Sequence, residues 1–140
     1  MNKNVSVLKF NKYLIENINY KNNDKFEDKE EGVEVALDFD AKVDISEDKT
    51  GMVVMLSSDI FPDAENNNYP FEMNVAIKGY FNMENVFNEN VDRYEANAIA
   101  ILFPYLRALV STISVNANVA PIIIPPMNIN AYLEEKRLKV

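Results

Sequence analysis

The chain has 140 residues, of which 48% are hydrophobic and 26% charged, a composition typical of one soluble folded domain spanning residues 1–140. Fourteen basic and 22 acidic residues give a net charge of −8, so we expect no nucleic-acid partner, because phosphates would repel the protein. The sequence has no cysteine and no histidine, which excludes disulfides, thiolate metal sites and the usual general base near neutral pH.

The first half of the chain alternates apolar and polar residues, as half-buried strands do. A weak strand pattern covers residues 5–20, with Ile15, Ile18 and Tyr20 as its apolar markers. The apolar positions of the second and clearest strand are Val33, Val35, Leu37, Phe39, Ala41, Val43 and Ile45. The turn SEDKTG leads into a third strand, MVVMLSSDIF, and Pro70 precedes a fourth, FEMNVAIKGYF. We predict a four-stranded antiparallel sheet arranged as a meander.

The segment KNNDKFEDKEEG lies between the first two strands and is polar and charged apart from Phe26. Its composition predicts a mobile crossover loop. An aromatic side chain in a polar loop either anchors the loop or grips a ligand, and both readings are open for Phe26.

The second half of the chain shows helical spacing, beginning with Asn90 or Asp92 as a cap. One apolar stripe comprises Ile99, Leu102, Phe103, Leu106, Leu109, Val110 and Ile113. Pro104 predicts a kink or a helix boundary near Ala100, and Asn118 suits a left-handed helix end. A last helix, AYLEEKRLK, follows with Asn128 or Asn130 as its cap. The predicted fold class is therefore α+β, with a long kinked helix and a short C-terminal helix.

A second apolar stripe on the long helix needs a cover that one small sheet does not supply. We predict that another subunit covers it. The alternative is that the Ile122–Ile124 loop and the last helix fold over it. The residues predicted at this oligomer interface are Tyr94, Ala98, Ile101, Tyr105, Ala108 and Leu109.

Catalysis is not expected from this sequence. Asp38 and Asp40 share one strand face, but no nucleophile, metal-ligand set or glycine-rich phosphate loop accompanies them, so a solvated acidic face is predicted. We therefore expect a non-enzyme without cofactor or metal. The N-terminal segment lacks an apolar signal-peptide core, and we expect no run elsewhere that is apolar enough to span a bilayer, so a cytoplasmic location without membrane insertion is predicted.

Three segments carry a family likeness: ILFPYLR (residues 101–107), VAPIIIPPMNI (119–129) and AYL (131–133). They resemble the ILFPYAR and FPPLLL-x-PVNF-x-ALY segments of the SecB family of protein-export chaperones. EVALDFD (34–40) is similar to the family's EVKLDLD strand, and IENINY (15–20) is similar to the end of its first strand. The likeness covers most of the chain and is most specific in its last third.

The resemblance implies a SecB-like fold that assembles as a homotetramer, a dimer of dimers, with long helices between sheets. It also implies an ATP-independent holdase that has no cofactor and binds unfolded or precursor proteins in apolar grooves for export by the SecA motor. The residues predicted to bind polypeptide are Phe26, Val35, Leu37, Phe39, Ile122, Ile123, Ile124 and Met127. For the three isoleucines, burial as core under the loop is the alternative.

The acidic residues by which SecB docks on SecA are largely absent from the corresponding positions of this chain. Asn17 and Lys21 occupy two of them, and Glu72 and Asn74 fall in the corresponding stretch of the fourth strand. The resemblance therefore implies polypeptide holding more strongly than SecA docking. Two other functions are open: a dedicated SecB-like chaperone of one client, such as the antitoxin of a toxin–antitoxin pair, and a structural oligomerisation subunit.

Overall fold

A computed structural model describes residues 7–84 and 90–138; Val5 of the first predicted strand and Lys139 of the last predicted helix lie outside them. The elements are β1 (Val7–Asn22), β2 (Leu37–Ile45), β3 (Gly51–Ile60), α1 (Ala64–Asn67), β4 (Phe71–Glu84), α2 (Val91–Asn116) and α3 (Ile129–Leu138). The α+β class, with a four-stranded antiparallel sheet, a long helix and a short C-terminal helix, is confirmed.

The strand order is β1-β4-β3-β2, with every neighbouring pair antiparallel. Strands β2 to β4 form the predicted meander, but β1 lies beside β4 rather than β2. The predicted meander with a crossover loop thus takes a definite form, in which the crossover loop passes from one edge of the sheet to the other. In the β2–β3 turn, hydrogen bonds from Ser46 and Thr50 lower the pKa of the Asp48 carboxyl.

Strand β2 begins at Leu37, four residues later than the alternation predicts. Leu37 pairs with Ile60, the last residue of β3. The next residue, Phe61, has a φ of 54° and turns the partner strand away after its N–H bonds to the carbonyl of Ala36. Val33 and Val35 therefore have no neighbouring strand and lie in the exposed end of the crossover loop.

The crossover loop is tied down where it begins, contrary to the predicted mobility along its length. Asn23 is buried, and its side-chain amide donates to the carbonyls of Ala64 and Tyr69. Glu27 and Asn68 exchange two hydrogen bonds between the Glu27 backbone and the Asn68 side chain, at 2.8 and 2.9 Å. Part of the asparagine content of this sequence thus fixes the path of the loop.

Helix α2 packs its apolar stripe on β3 and β4. Ile99, Leu102, Leu106 and Val110 are fully buried, and Asn90 occupies the N-cap position. The helix runs through Pro104, so of the two predicted alternatives the helix boundary near Ala100 is wrong. By length and composition it is also apolar enough to cross a membrane, with a hydropathy of 1.8, so the expectation that no run is apolar enough is wrong for α2. In the subunit, 39% of this apolar stretch is buried.

Local signals end α2 and begin α3 as predicted. Asn118 adopts a φ of 61°, and the N–H of Val119 reaches back to the carbonyl of Ser114, which closes the helix end. Asn128 caps α3, because its side-chain oxygen accepts the N–H of Ala131 at 3.0 Å. Proline-containing residues 119–128 connect the two helices.

Gly79 on β4 lets α2 approach the sheet, and Gly79→Ala is expected to destabilise the fold. An added Cβ would lie 2.9 Å from Cδ1 of Leu102 and 3.1 Å from Cε1 of Phe81, and both side chains are buried in the core. We expect the free energy of unfolding to fall by about 1–3 kcal/mol in urea titrations.

Gly51→Ala is the matched control, since its nearest neighbour would be Ser46 Oγ at 3.5 Å, an ordinary contact. That variant should stay within about 0.5 kcal/mol of the wild type. If the two variants were equally stable, the packing of α2 on the sheet would not depend on the absence of a Cβ at residue 79.

Candidate functional site

Most of the large exposed apolar side chains lie towards the two opposite edges of the sheet; those outside the two groups are Val7, Leu14 and Val115. Near β2 and the loop between α2 and α3 they are Val33, Val35 and Ile123. We name this region, together with the β2 edge, the β2-side surface. Near β1 and the outer side of α2 they are Tyr13, Ile15, Ile18, Ile101 and Tyr105, and we name this region the α2–β1 surface. Large apolar side chains left in water mark surfaces that meet other molecules.

The isoleucine run splits between core and surface. Ile122 and Ile124 are buried at 8% and 3% exposure, whereas Ile123 between them is 75% exposed. Two side chains of α2 fix this arrangement: Arg107 donates to the carbonyl of Ile124 at 2.8 Å, and Ser111 donates to the carbonyl of Ile122 at 2.9 Å. Burial as core therefore holds for Ile122 and Ile124, whereas Ile123 stays a candidate binding residue.

Arg107 and Ser111 were not singled out from the sequence. Each is a polar residue in the second half of an otherwise apolar helix, which is the signal that would have found them. Their hydrogen bonds satisfy carbonyls of a loop that its prolines deprive of N–H donors. They hold the loop so that Ile123 is presented outward.

The other residues predicted to bind polypeptide differ in their exposure. Val35 is 51% exposed, whereas Leu37, Phe39 and Met127 are half-buried and pack against the main core. Phe26 is also half-buried, in a turn closed by its N–H to the carbonyl of Asn23. Val35 and Ile123 are thus the members of the set that offer most surface to a partner.

Helix α3 lies at the β2 edge and is held there by polar contacts. The Ala41 N–H donates to the Tyr132 hydroxyl at 3.0 Å, and Lys136 donates to the Ala41 carbonyl and to Asp40. Arg137 pairs with Asp92 at 3.2 Å and with Glu95 at 3.8 Å. Burial, followed by repulsion from Asp92, raises the pKa of the Glu95 carboxyl.

Tyr132 also connects α3 to the core through its ring. The ring of Phe39 packs edge-on against both Phe103 and Tyr132, with centroid distances of 5.6 and 5.1 Å. Leu133 on the same helix is buried in the main core. Apolar contacts and hydrogen bonds therefore both hold α3 against the sheet and the core.

The α2–β1 surface contains only part of the predicted oligomer interface. Ile101 and Tyr105 are 38% and 40% exposed, Ala108 is exposed and Leu109 is half-buried. The ring of Tyr105 packs on those of Tyr13 and Phe10 at 4.6 and 5.6 Å, which aligns α2 with the strand. At Ile101, Tyr105 and Ala108 the stripe is left uncovered in the single subunit, so the alternative that the isoleucine loop and the last helix cover it is wrong for these residues.

Tyr94 and Ala98 have to be removed from that interface. Their exposures are 3% and 0%, and the Tyr94 hydroxyl donates to the carbonyl of Glu84 at the end of β4. The first turns of α2 therefore direct these side chains into the subunit, because the apolar stripe there faces the end of the sheet.

The outer sheet face is polar and carries ladders of asparagine. Asn17 donates to Asn74 at 2.6 Å, and Asn74 donates in turn to Asp59. Asp40 is engaged by α3 rather than by Asp38, and the described residues contain no group of carboxylates placed to hold a metal ion. Asn11 likewise donates to Asn82, so neutral amides rather than carboxylates make up most of these ladders.

Comparisons with known proteins agree with this architecture. The family model described as SecB, preprotein translocase subunit, matches residues 6–139. Uncharacterized protein MJ0357 of Methanocaldococcus jannaschii is 31% identical over 129 residues, covering 87% of this chain and 79% of the relative.

Two solved structures share the fold. One is the SecB-like chaperone Rv1957 of Mycobacterium tuberculosis in complex with a ChAD peptide from the antitoxin Rv1956 HigA1, with a TM-score of 0.67 and 15% identity over 86% of this chain and 91% of that one. The other is a protein of unknown function from Streptococcus agalactiae, with a TM-score of 0.51 and 10% identity over 87% and 99% of the two chains. The match over nearly the whole sequence, together with this fold, shows that the chain belongs to the SecB family.

Proposed function

We propose that the protein is an ATP-independent holdase that binds unfolded or nascent polypeptides on the β2-side surface. The observation that carries the proposal is the loop held by Arg107 and Ser111, which presents Ile123 to solvent at 75% exposure beside an otherwise buried run. Together with the exposed Val33 and Val35, Ile123 supplies apolar surface that segments of other chains can cover. We propose a cytoplasmic location and no catalytic role, as for SecB-like chaperones.

Recognition on such a surface is apolar and therefore broad. Burying roughly 500 Å² of apolar client surface contributes about 12 kcal/mol at 25 cal/mol per Å². Ordering the client segment offsets most of that gain, so a single surface binds weakly. Several surfaces on one assembly, occupied by one long client, raise the overall affinity without new contacts.

We propose that copies of the chain assemble through the α2–β1 surface as a dimer of dimers. Support comes from the apolar side chains of Ile101, Tyr105 and Ile18, which stay 38–46% exposed in the single subunit. Their burial at roughly 1.5–3 kcal/mol per fully covered side chain would stabilise an interface strongly.

Export through SecA is the less supported part of the proposal. On the outer face Asn17 and Asn74 take part in an amide ladder ending at Asp59, and the positively charged Lys21 lies opposite Glu72 in the strand register. Such a face attracts a basic partner less than a row of free carboxylates would. We expect SecA to bind more weakly than it binds a carboxylate-rich family member, and titration at low salt measures this.

A dedicated chaperone for one client is the second candidate function. The observation in its favour is the amide-rich outer face, which reduces SecA docking but leaves the β2-side surface intact. The fold neighbour Rv1957 was solved with an antitoxin peptide, which shows that this fold accommodates such a client in that protein.

Light scattering of a slow-folding model protein diluted from denaturant distinguishes the candidate functions. Suppression of aggregation at near-stoichiometric ratio is the expected result for a general holdase. Tight binding of one native partner, with no effect on model clients, favours the dedicated chaperone. If no unfolded chain binds at all, the protein is a structural subunit and the proposal is wrong.

A further inference from the structure

The edge of β2 has a regular backbone that helix α3 covers at one residue. Strand β2 pairs with β3 over nine residues without a register shift, so alternate residues direct their N–H and C=O groups away from the sheet. Ala41 is one of these, and both of its backbone groups are bonded to side chains of α3: the N–H to the Tyr132 hydroxyl and the C=O to Lys136.

The outward groups on either side of Ala41 lack such partners. Phe39 and Val43 have the same orientation as Ala41, and no other part of the described chain bonds to their outward N–H or C=O groups. An unpaired strand edge is a template for another extended chain. Tyr132 and Lys136 therefore take the place that a neighbouring strand would occupy at Ala41.

The opposite edge of the sheet is protected differently. Strand β1 has register shifts between Phe10 and Lys12 and between Ile15 and Asn17, which leave Asn11 and Glu16 as bulged residues. Bulges interrupt the regular row of backbone groups and discourage strand addition. Of the two edges, β2 alone has an uninterrupted ladder within the described residues, and it lies next to the apolar side chains of the β2-side surface.

We propose that the β2 edge is a strand-addition site for an extended polypeptide segment, and that α3 is a displaceable cap that competes with this segment through Tyr132 and Lys136. The inference rests on the proposed holdase function and specifies how a client is held. Backbone pairing suits a partner of any sequence, because every residue except proline offers the same N–H and C=O groups. The apolar side chains near the edge then add affinity for apolar segments.

The contacts of α3 are suited to release. Lys136 and Asp40 keep 41% and 48% of their side-chain surface exposed, and Arg137 and Asp92 keep 48% and 75%, so water and salt reach these pairs. The charged groups facing Lys136 and Arg137 come from β2 and α2 and comprise Asp40, Asp92 and Glu95. These weak polar contacts can give way to a client while the buried Leu133 keeps α3 attached to the core, so the cap moves off the strand edge without leaving the subunit.

Removing the cap's polar groups should tighten client binding. In Tyr132→Phe/Lys136→Met the ring against Phe39 and the buried Leu133 remain, so α3 stays folded while its bonds to Ala41 are lost. With fluorescent reduced and carboxymethylated α-lactalbumin as the probe, anisotropy titration should show a Kd lower by about 5- to 10-fold than that of the wild type.

Lys42→Met is the matched control, because Lys42 is exposed on the outer face of β2 and loses the same charge. It should bind the probe as the wild type does. If the double variant keeps its melting temperature but binds equally or more weakly, α3 is a structural brace and not a cap. If the double variant instead self-associates without the probe, seen as a higher sedimentation mass, the occupant of the edge is a second copy and the inference is wrong.

Amide hydrogen exchange in the wild type tests the same inference without a variant. Binding of the probe should slow exchange at Phe39 and Val43 by about tenfold or more and speed it in α3. Unchanged exchange at Phe39 and Val43 with the probe bound overturns strand addition while leaving the holdase function standing. No binding of the probe by either protein removes the holdase function and this inference together.

Discussion

Tyr105→Glu is expected to dissociate the proposed assembly while leaving the subunit folded. Tyr105 is 40% exposed in the single subunit, and its ring meets Tyr13 at the centre of the α2–β1 surface. A carboxylate buried there without a partner costs several kcal/mol, enough to turn a stable oligomer into subunits at micromolar concentration. Sedimentation velocity should show the mass of one chain or of a dimer, with far-UV circular dichroism unchanged.

Tyr105→Phe provides the matched control for that experiment. It keeps the ring that packs on Tyr13 and Phe10 and removes only the hydroxyl group, so the assembly should persist. An assembly of unchanged mass in Tyr105→Glu would mean that copies do not meet through this surface. The apolar exposure of Ile101 and Ile18 would then need another partner.

Ile123→Asp is expected to weaken the binding of unfolded chains by about 10- to 100-fold. This factor corresponds to the free energy gained when one large apolar side chain is buried. The subunit itself should be unaffected, because Ile123 is 75% exposed and exposed positions change stability by about 0.5 kcal/mol or less. Anisotropy titration with an unfolded client measures the first quantity, and thermal unfolding the second.

Val7→Asp is the control for Ile123→Asp. Val7 is also an exposed apolar residue, at 41%, but it lies on β1 at the opposite edge of the sheet. Its replacement should leave client affinity within about twofold, since the charge lies far from the β2-side surface and is screened by salt. Equal losses in the two variants would indicate that net charge, and not the isoleucine loop, decides client binding.

The sequence predicted those features that depend on neighbouring residues. Asn118 and Asn128 mark helix ends because their conformation or side-chain bond involves residues within one turn. The turn between β2 and β3 and the buried stripe of α2 followed from spacing in the same way. The motif around Pro104 and the isoleucine loop led to the SecB family, which the match over residues 6–139 shows.

The first strand was predicted only weakly for a reason that the structure makes clear. Bulges at Asn11 and Glu16 shift the alternation twice, so the apolar residues of β1 do not keep a period of two. Its place beside β4 depends on pairs such as Ile18 with Val75, which are far apart in the sequence. Local patterns carry no information about such partners.

The sequence by itself determined that the chain has more apolar residues than one sheet and two helices can bury. It also showed which segments contain them. Only the tertiary structure decided which members face inward: Tyr94, Ala98, Ile122 and Ile124 are buried, whereas Tyr105, Val35 and Ile123 are exposed. A periodic pattern gives the relative orientation of side chains on one element but not the rotation of that element against its neighbours. That rotation is set by distant contacts, such as Arg107 with Ile124 and Tyr132 with Ala41, which form only when the chain has folded.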